Sequence, residues 1–213
     1  MRPLFISVEG GEGSGKTTLI KHIKKLLEEA GHEVVTTREP GGSFLGEEIR
    51  ELLLHVKRDE PLAAKAELFL FLAARIQHVE TLIRPSLESG KVVITDRFSD
   101  SSIAYQSAAR GLSIAQVKAL CEEAESGISP SLTFFLDVDP KIGVRRARNR
   151  TLKADVSYDR LEEEDLSFHE RVREGFAALQ EQYPERIYRI DTTKPIPEVQ
   201  RKAGEILEKW IKL

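Results

Sequence analysis

Gly10-Gly11-Glu12-Gly13-Ser14-Gly15-Lys16-Thr17, entered from the short apolar run Leu4 to Val8, is the stretch on which the fold turns. It fits the pattern G-x-x-x-x-G-K-[ST], which average residue usage would produce in a chain of this length roughly once in a hundred. The apolar run reads as a buried strand. A helical pattern follows the glycines, with Leu19, Ile23, Leu26 and Leu27, and stops near Gly31; a second strand is predicted over Glu33 to Thr37. Strand, helix, strand in this order signals a parallel sheet and an α/β fold. The plainer reading is a glycine turn that only joins strand to helix. The chemistry asks for more: glycines let successive backbone N–H groups converge on phosphate oxygens, and the helix N-terminus adds a favourable dipole. Lys16 can reach β- and γ-phosphates, and the Thr17 hydroxyl can ligate Mg²⁺. Gly10, Gly11, Glu12, Gly13, Ser14, Gly15, Lys16, Thr17 and Thr18 are thus the candidate ATP-binding stretch.

Outward from this stretch, helices are predicted at 43–56 and 62–89, the second apolar almost all round between Leu68 and Ile76 and so buried. Lys91 to Thr95 reads as a third strand, with helical segments after it at about 100–109 and 113–125. A fourth strand covers Leu132 to Leu136, and Pro140 opens another helix. Residues 150–165 are charged without apolar periodicity and read as a loop. A helix at about 166–182, a strand Ile187 to Ile190 and an amphipathic helix at 196–212 complete the chain. No repeat or linker interrupts it, so residues 1–213 read as one domain.

Composition narrows the class. The chain has 213 residues, 40% hydrophobic and 31% charged, with a net charge of −3. That suits a globular domain and argues against a dedicated nucleic-acid binder, which needs a basic surface. No run of 18 apolar residues exists for a membrane span, and the N-terminal apolar run is too short for a signal peptide. The one cysteine, Cys121, shares an apolar helix face with Val117, Leu120 and Ala124 and reads as core; a reducing, cytoplasmic compartment fits it. The only asparagine is Asn149, in Arg-Asn-Arg-Thr, so the Asn-Lys-x-Asp guanine motif of GTPases is absent. The further signatures of motor or AAA-type ATPases are absent too.

The third strand runs into Asp96-Arg97-Phe98. A carboxylate at the C-terminal end of a parallel strand faces the ligand crevice, so Asp96 is placed to hold hydrated Mg²⁺ or organise its water. Arg97 offers a rigid fork suited to phosphate. A surface ion pair at a strand end is the alternative.

The glycine loop, Arg38-Glu39-Pro40-Gly41-Gly42-Ser43 and Asp96-Arg97-Phe98-Ser99-Asp100-Ser101-Ser102-Ile103-Ala104-Tyr105-Gln106 together resemble the bacterial thymidylate kinases, over nearly the whole chain. The last two segments are specific to that family; the glycine loop is not. The resemblance implies a three-layer P-loop kinase fold, a five-stranded parallel sheet flanked by helices with a short lid, usually a homodimer. It implies transfer of the γ-phosphoryl group of MgATP to dTMP, giving dTDP for dTTP biosynthesis. By the same resemblance Phe71 stacks on the thymine and Arg75, one helical turn on, bonds its carbonyl. Arg50 and Arg97 hold the acceptor phosphate, Ser102 and Gln106 meet the base edge, and Tyr105 closes off the sugar 2′ position. Glu12 lies near the sugar 3′-hydroxyl and metal.

Each residue also has a plainer reading: Phe71 as core, Arg50 as a solvated helix residue. Arg75 is harder to dismiss, because a charge in an apolar helix needs a partner.

The run Arg145-Arg146-Ala147-Arg148-Asn149-Arg150 resembles the start of the lid, about 148–160. Its six basic residues through position 165 are balanced by six acidic ones, so no nucleic-acid patch results. Where one branch of the family has an arginine within the glycine loop, this chain has Gly13; the lid then supplies the arginine. Arg150 matches best, with Arg148 and Arg146 as alternatives. Ser131 stands where the family commonly has aspartate. Two rival functions stay open: another nucleoside-monophosphate kinase, against which Phe71, Arg75, Tyr105 and Gln106 speak, and a non-catalytic nucleotide switch, against which the retained Lys16, Thr17, Asp96 and Arg97 speak.

Overall fold

The structure is a computed structural model; it describes residues 4–54, 60–154 and 160–211, with the side chains of 150–154 left out. Among these residues five strands form one fully parallel sheet: β1 (Phe5–Glu9), β2 (Val34–Arg38), β3 (Val92–Asp96), β4 (Leu132–Asp137) and β5 (Ile187–Asp191), in the order β2-β3-β1-β4-β5. The near-continuous apolar strands follow from helices covering both faces. Side chains alternate: Ile6, Val8, Ile94, Phe134 and Leu136 pack on one face under α1 (Lys16–Glu29) and α9 (Ile196–Ile211). Phe135 and Ile187 face the other side, into a core shared with α3 (Ala64–His78), α6 (Ile114–Glu125) and α8 (Leu166–Gln182). Phe5, Val93 and Phe98 form a further cluster there with Val79 and Ile83. The result is three layers, helix, sheet, helix, and the predicted fold class is observed.

All five strands end one residue later than the apolar runs predict, on Glu9, Arg38, Asp96, Asp137 and Asp191. A hydrophobicity criterion stops before a charge, whereas the hydrogen-bond ladder runs one residue further. Every strand therefore delivers a charged side chain to its C-terminal edge, where parallel sheets bind ligands.

The remaining helices are α2 (Phe44–Leu54), α4 (Arg84–Glu88), α5 (Ser99–Ser102) and α7 (Pro140–Ala154). Two π-helical turns, Val79–Ile83 and Ile103–Ala109, join α3 to α4 and continue α5. The predicted helix at 62–89 is thus α3, a π turn and α4 in succession. Residues 150–154, read as loop, are helical: α7 runs on because Arg, Leu, Lys and Ala are good helix formers even without an apolar stripe. The rest of the predicted lid, 155–159, lies outside the described residues. Cys121 is buried as expected, with its Sγ 3.7 Å from Arg75 Nη1. Ser131 closes the start of β4 onto β1, accepting from Phe5 N at 3.3 Å and donating to Phe5 O at 3.1 Å.

Candidate active site

The glycine loop leaves the central strand β1 and curls through positive φ at Gly10 (139°), Gly13 (64°) and Gly15 (97°). Two of these positions are also closed to side chains. A Cβ on Gly10 would lie 2.4 Å from Leu136 O, and one on Gly13 2.1 Å from Gly143 O. The family's alternative arginine at Gly13 is therefore incompatible with this backbone. Lys16 Nζ sits inside the curl, 3.3 Å from Gly10 O and from Gly11 O. Burial, then the nearby Arg97 guanidinium, lower its pKa. Thr17 and Thr18 stand exposed in the first turn of α1.

Across from the loop, β3 ends in Asp96, and Arg97 follows it. Arg97 holds a left-handed backbone at φ 74°, a conformation that non-glycine residues keep only where their surroundings fix them. Here Thr95 Oγ1 donates to Arg97 O at 2.8 Å. The guanidinium donates to Gly10 O (2.9 Å), Ser101 Oγ (3.3 Å) and Glu12 Oε1 (2.7 Å). It also lies over the Tyr105 ring, 4.9 Å from the centroid. Burial opposes its charge, but Tyr105, Glu12 and Asp96 outweigh that and raise its pKa. Beneath it, Glu9 is fully buried and accepts from Phe98 N (2.7 Å), Ser101 Oγ (2.6 Å) and Ser7 Oγ (2.5 Å). Burial, and after it the charge of Asp100, push its pKa up to about 7.

From the glycine loop a cavity of about 480 Å³ runs between α2, α3 and the Ile103–Ala109 turn. Each residue assigned to the acceptor by resemblance, Glu12, Arg50, Phe71, Arg75, Arg97, Ser102, Tyr105 and Gln106, lines it, as do Asp96 and the loop from Glu12 to Thr18. Gly10 and Gly11 lie behind, offering carbonyls to Lys16 and Arg97. Phe71 is half-buried; Arg75 is 1% exposed. Arg75 donates through Nε to Glu39 Oε2 (2.8 Å) and through Nη1 to Ser102 Oγ (3.1 Å). His78 Nδ1 is 3.1 Å from the other Glu39 oxygen. Arg50 Nη1 donates to Pro40 O at 3.0 Å. Tyr105 Oη lies 3.4 Å from Glu12 Oε1.

Of the arginines expected to serve a lid, Arg146 lines the cavity and donates to Thr192 O at 3.1 Å; Arg148 is exposed. The Arg150 side chain lies outside the described residues.

Sequence reasoning missed four residues: Glu9, Arg38, Glu39 and Glu67. Arg38 and Glu39 line the cavity. Glu67 is fully buried on α3 beside Gln106. The rule that singled out Arg75, a charge in an apolar helix, applies equally to Glu67.

For Mg²⁺ the donors are modest. Among the described residues no group of three or more His, Cys, Asp or Glu side chains converges. The Thr17 hydroxyl and the Asp96 carboxylate are among the oxygen donors that line the same cavity. That set fits an ion that keeps much of its water shell and completes it with phosphate oxygens.

A glycine loop with an enclosed lysine after the central strand, opposed by a strand-end Asp-Arg pair, defines a P-loop phosphotransferase. Comparison with known proteins narrows this. The sequence profile of the family described as Thymidylate kinase matches residues 8–203. The thymidylate kinase of Protochlamydia amoebophila is 49% identical over 206 residues, 96% of this chain and 92% of that protein. That of Desulfovibrio desulfuricans is 46% identical over 211 residues, 98% and 97% of the two chains. The crystal structure of thymidylate kinase from Ehrlichia chaffeensis superposes with a TM-score of 0.78 at 32% identity, covering 98% of this chain and 99% of that one. The chain belongs to the thymidylate kinase family.

Proposed function

We propose that this chain, acting as one domain, transfers the γ-phosphoryl group of MgATP to dTMP, giving dTDP for dTTP synthesis. The observation that carries the reading is a single cavity with an anion-binding loop at one end and a buried arginine beside a half-buried aromatic at the other. The donor phosphates lie along Gly10 to Thr18, with Lys16 on the β- and γ-groups. The acceptor phosphate lies on Arg97 and Arg50, and its base reaches Phe71, Arg75, Ser102 and Gln106. Tyr105 closes the sugar's 2′ side, and Glu12 stands by the 3′-hydroxyl.

The second pKa of a phosphate ester is near ~6, so the attacking oxygen is largely ionised at pH 7 and needs no general base. The difficulty is bringing two anions together. Lys16 and Arg97 neutralise charge around the transferring group, and a lid arginine, Arg150 by the best match, adds to it. Thr17 and Asp96 would hold Mg²⁺, which supplies further neutralisation when bound. Lid closure excludes water as a competing acceptor.

The protein works as a cytoplasmic homodimer without nucleic acid. Phe69 and Ile76 on α3, with Phe44 and Leu52 on α2, are exposed apolar side chains that a second copy would cover.

The test is a coupled ADP-release assay across dTMP, dUMP, UMP, CMP and AMP. dTMP is expected to exceed CMP and AMP by at least ~10² in kcat/KM, the discrimination a pocket with placed polar groups achieves. Preference for another monophosphate would reassign the acceptor. Nucleotide binding without any turnover would make the chain a switch.

A further inference from the structure

Glu67 lies on the α3 face that carries Phe71 and Arg75, at successive four-residue steps, yet it does not line the cavity. It is fully buried, and what surrounds it is donors. Oε1 accepts from Gln106 Nε2 at 2.9 Å and from Arg110 Nε at 3.3 Å. Oε2 accepts from Arg110 Nη2 at 3.3 Å and from Arg160 Nη2. Arg110 is held from its other side by Glu164 at 2.7 Å, and Arg160 donates to Leu53 O at 3.1 Å. Burial alone would favour the neutral acid, but the Gln106 hydrogen bond and the charges of Arg110 and Arg160 outweigh it and lower the pKa.

An ionised carboxylate only accepts hydrogen bonds. The amide atom that Gln106 turns toward it must therefore be the nitrogen. Nitrogen and oxygen share one carbon, so the oxygen turns away from Glu67, and an acceptor is what Gln106 has left to offer the cavity it lines. Arg75 meets the same cavity as a donor, since a guanidinium has no acceptor. A donor beside an acceptor matches the carbonyl and adjacent ring N–H of thymine. It mismatches cytosine, whose corresponding positions are an amine and a bare nitrogen.

We propose that Glu67 is a positioning residue for base selection: by holding the Gln106 amide in one orientation, it makes the site demand an N–H from the acceptor's base. This rests on the dTMP reading above.

The test is kcat/KM for dTMP and for 5-methyl-2′-deoxycytidine monophosphate, which differ only at these two base positions. Glu67→Gln, free to bond Gln106 in either amide orientation, is expected to lower the dTMP preference by about tenfold or more, the worth of one buried hydrogen-bond mismatch. Arg160→Gln removes another partner of Glu67 but leaves Gln106 held, so the preference should stay within about twofold whatever happens to kcat. Equal loss in both variants would mean Glu67 serves only packing, and an unchanged preference in Glu67→Gln would overturn the proposal. Should Glu67→Gln not fold, Gln106→Ala decides: it should erode the preference to a similar extent, and a wild-type preference in that variant overturns the proposal. A wild-type enzyme that does not turn over dTMP would sink the functional reading and this inference with it. Turnover with an unmoved preference sinks the inference alone.

Discussion

The two ends of the cavity are made of different material. The end proposed for the phosphates is largely backbone: three positive-φ glycines, two carbonyls around Lys16, and a helix N-terminus. The end proposed for the base is side chains braced by side chains: Arg75 on Glu39, Glu39 on His78, His78 Nε2 2.7 Å from Thr37 Oγ1, and Gln106 on Glu67. A loop that works through its main chain tolerates loss of a side chain structurally and fails chemically. A site that works through braced buried charges does the reverse, losing its shape with the first brace.

Arg75→Ala breaks the comparison most sharply. It leaves Glu39, 5% exposed, as a buried charge without its guanidinium, and is expected to cost about 3–5 kcal/mol of stability. Urea denaturation measures it. Arg75→Met combined with Glu39→Gln removes both charges and should recover much of that loss. A loss below ~1 kcal/mol in Arg75→Ala would show that the brace is not structural.

Lys16→Ala is the counterpart at the other end. It should lower kcat by at least ~10²-fold, in line with removing one preorganised charge, with little change in the urea midpoint. Near-normal turnover would remove the basis for the phosphate end. A stability loss as large as that of Arg75→Ala would erase the contrast.

Glu9 sharpens the comparison, because it is a buried carboxyl under the phosphate end. Its folded pKa of about 7 lies above the ordinary 4.5, so folding favours the neutral acid. That contribution is fully present below about pH 4.5 and is lost as pH rises through about 7. Between pH 5 and 8 the wild type should lose about 2 kcal/mol that Glu9→Gln does not. The measurement is the urea midpoint of both proteins at the two pH values. An equal difference between them at pH 5 and pH 8 would mean that Glu9 does not titrate in this window.

The same division explains what was legible beforehand. A main-chain site must be encoded by residues adjacent in sequence, because only neighbours can shape a loop; hence Gly10 to Thr17 could be read directly. The alternation of apolar runs with helical patterns gave the parallel sheet for the same local reason. Arg75 was legible as a charge in need of a partner, but its partner Glu39 lies 36 residues away, across the sheet edge. Glu67 meets the same rule, but its partners Gln106 and Arg160 are 39 and 93 residues distant, and only the fold brings them within reach. The roles of Phe71, Ser102 and Tyr105 came from resemblance, since an apolar or hydroxyl residue in a helix has no spacing that marks it. The last turn of α7 was missed because a helix without an apolar stripe leaves no periodic trace.

Gly13 and Gly143 meet backbone to backbone: a Cβ on Gly143 would lie 2.3 Å from Glu12 O, just as one on Gly13 would meet Gly143 O. Neither glycine brings a side chain into the contact, so loop and helix approach there as closely as their backbones allow. Gly143 is the fourth residue of α7, and the helix runs eleven residues beyond it to Ala154. At 1.5 Å per residue that arm is about 16 Å long. A tilt of about 10° about this contact would move its tip by about 3 Å, roughly the length of one hydrogen bond. A small displacement of the loop, passed on through this contact, would thus be larger at Ala154, where the described part of α7 ends.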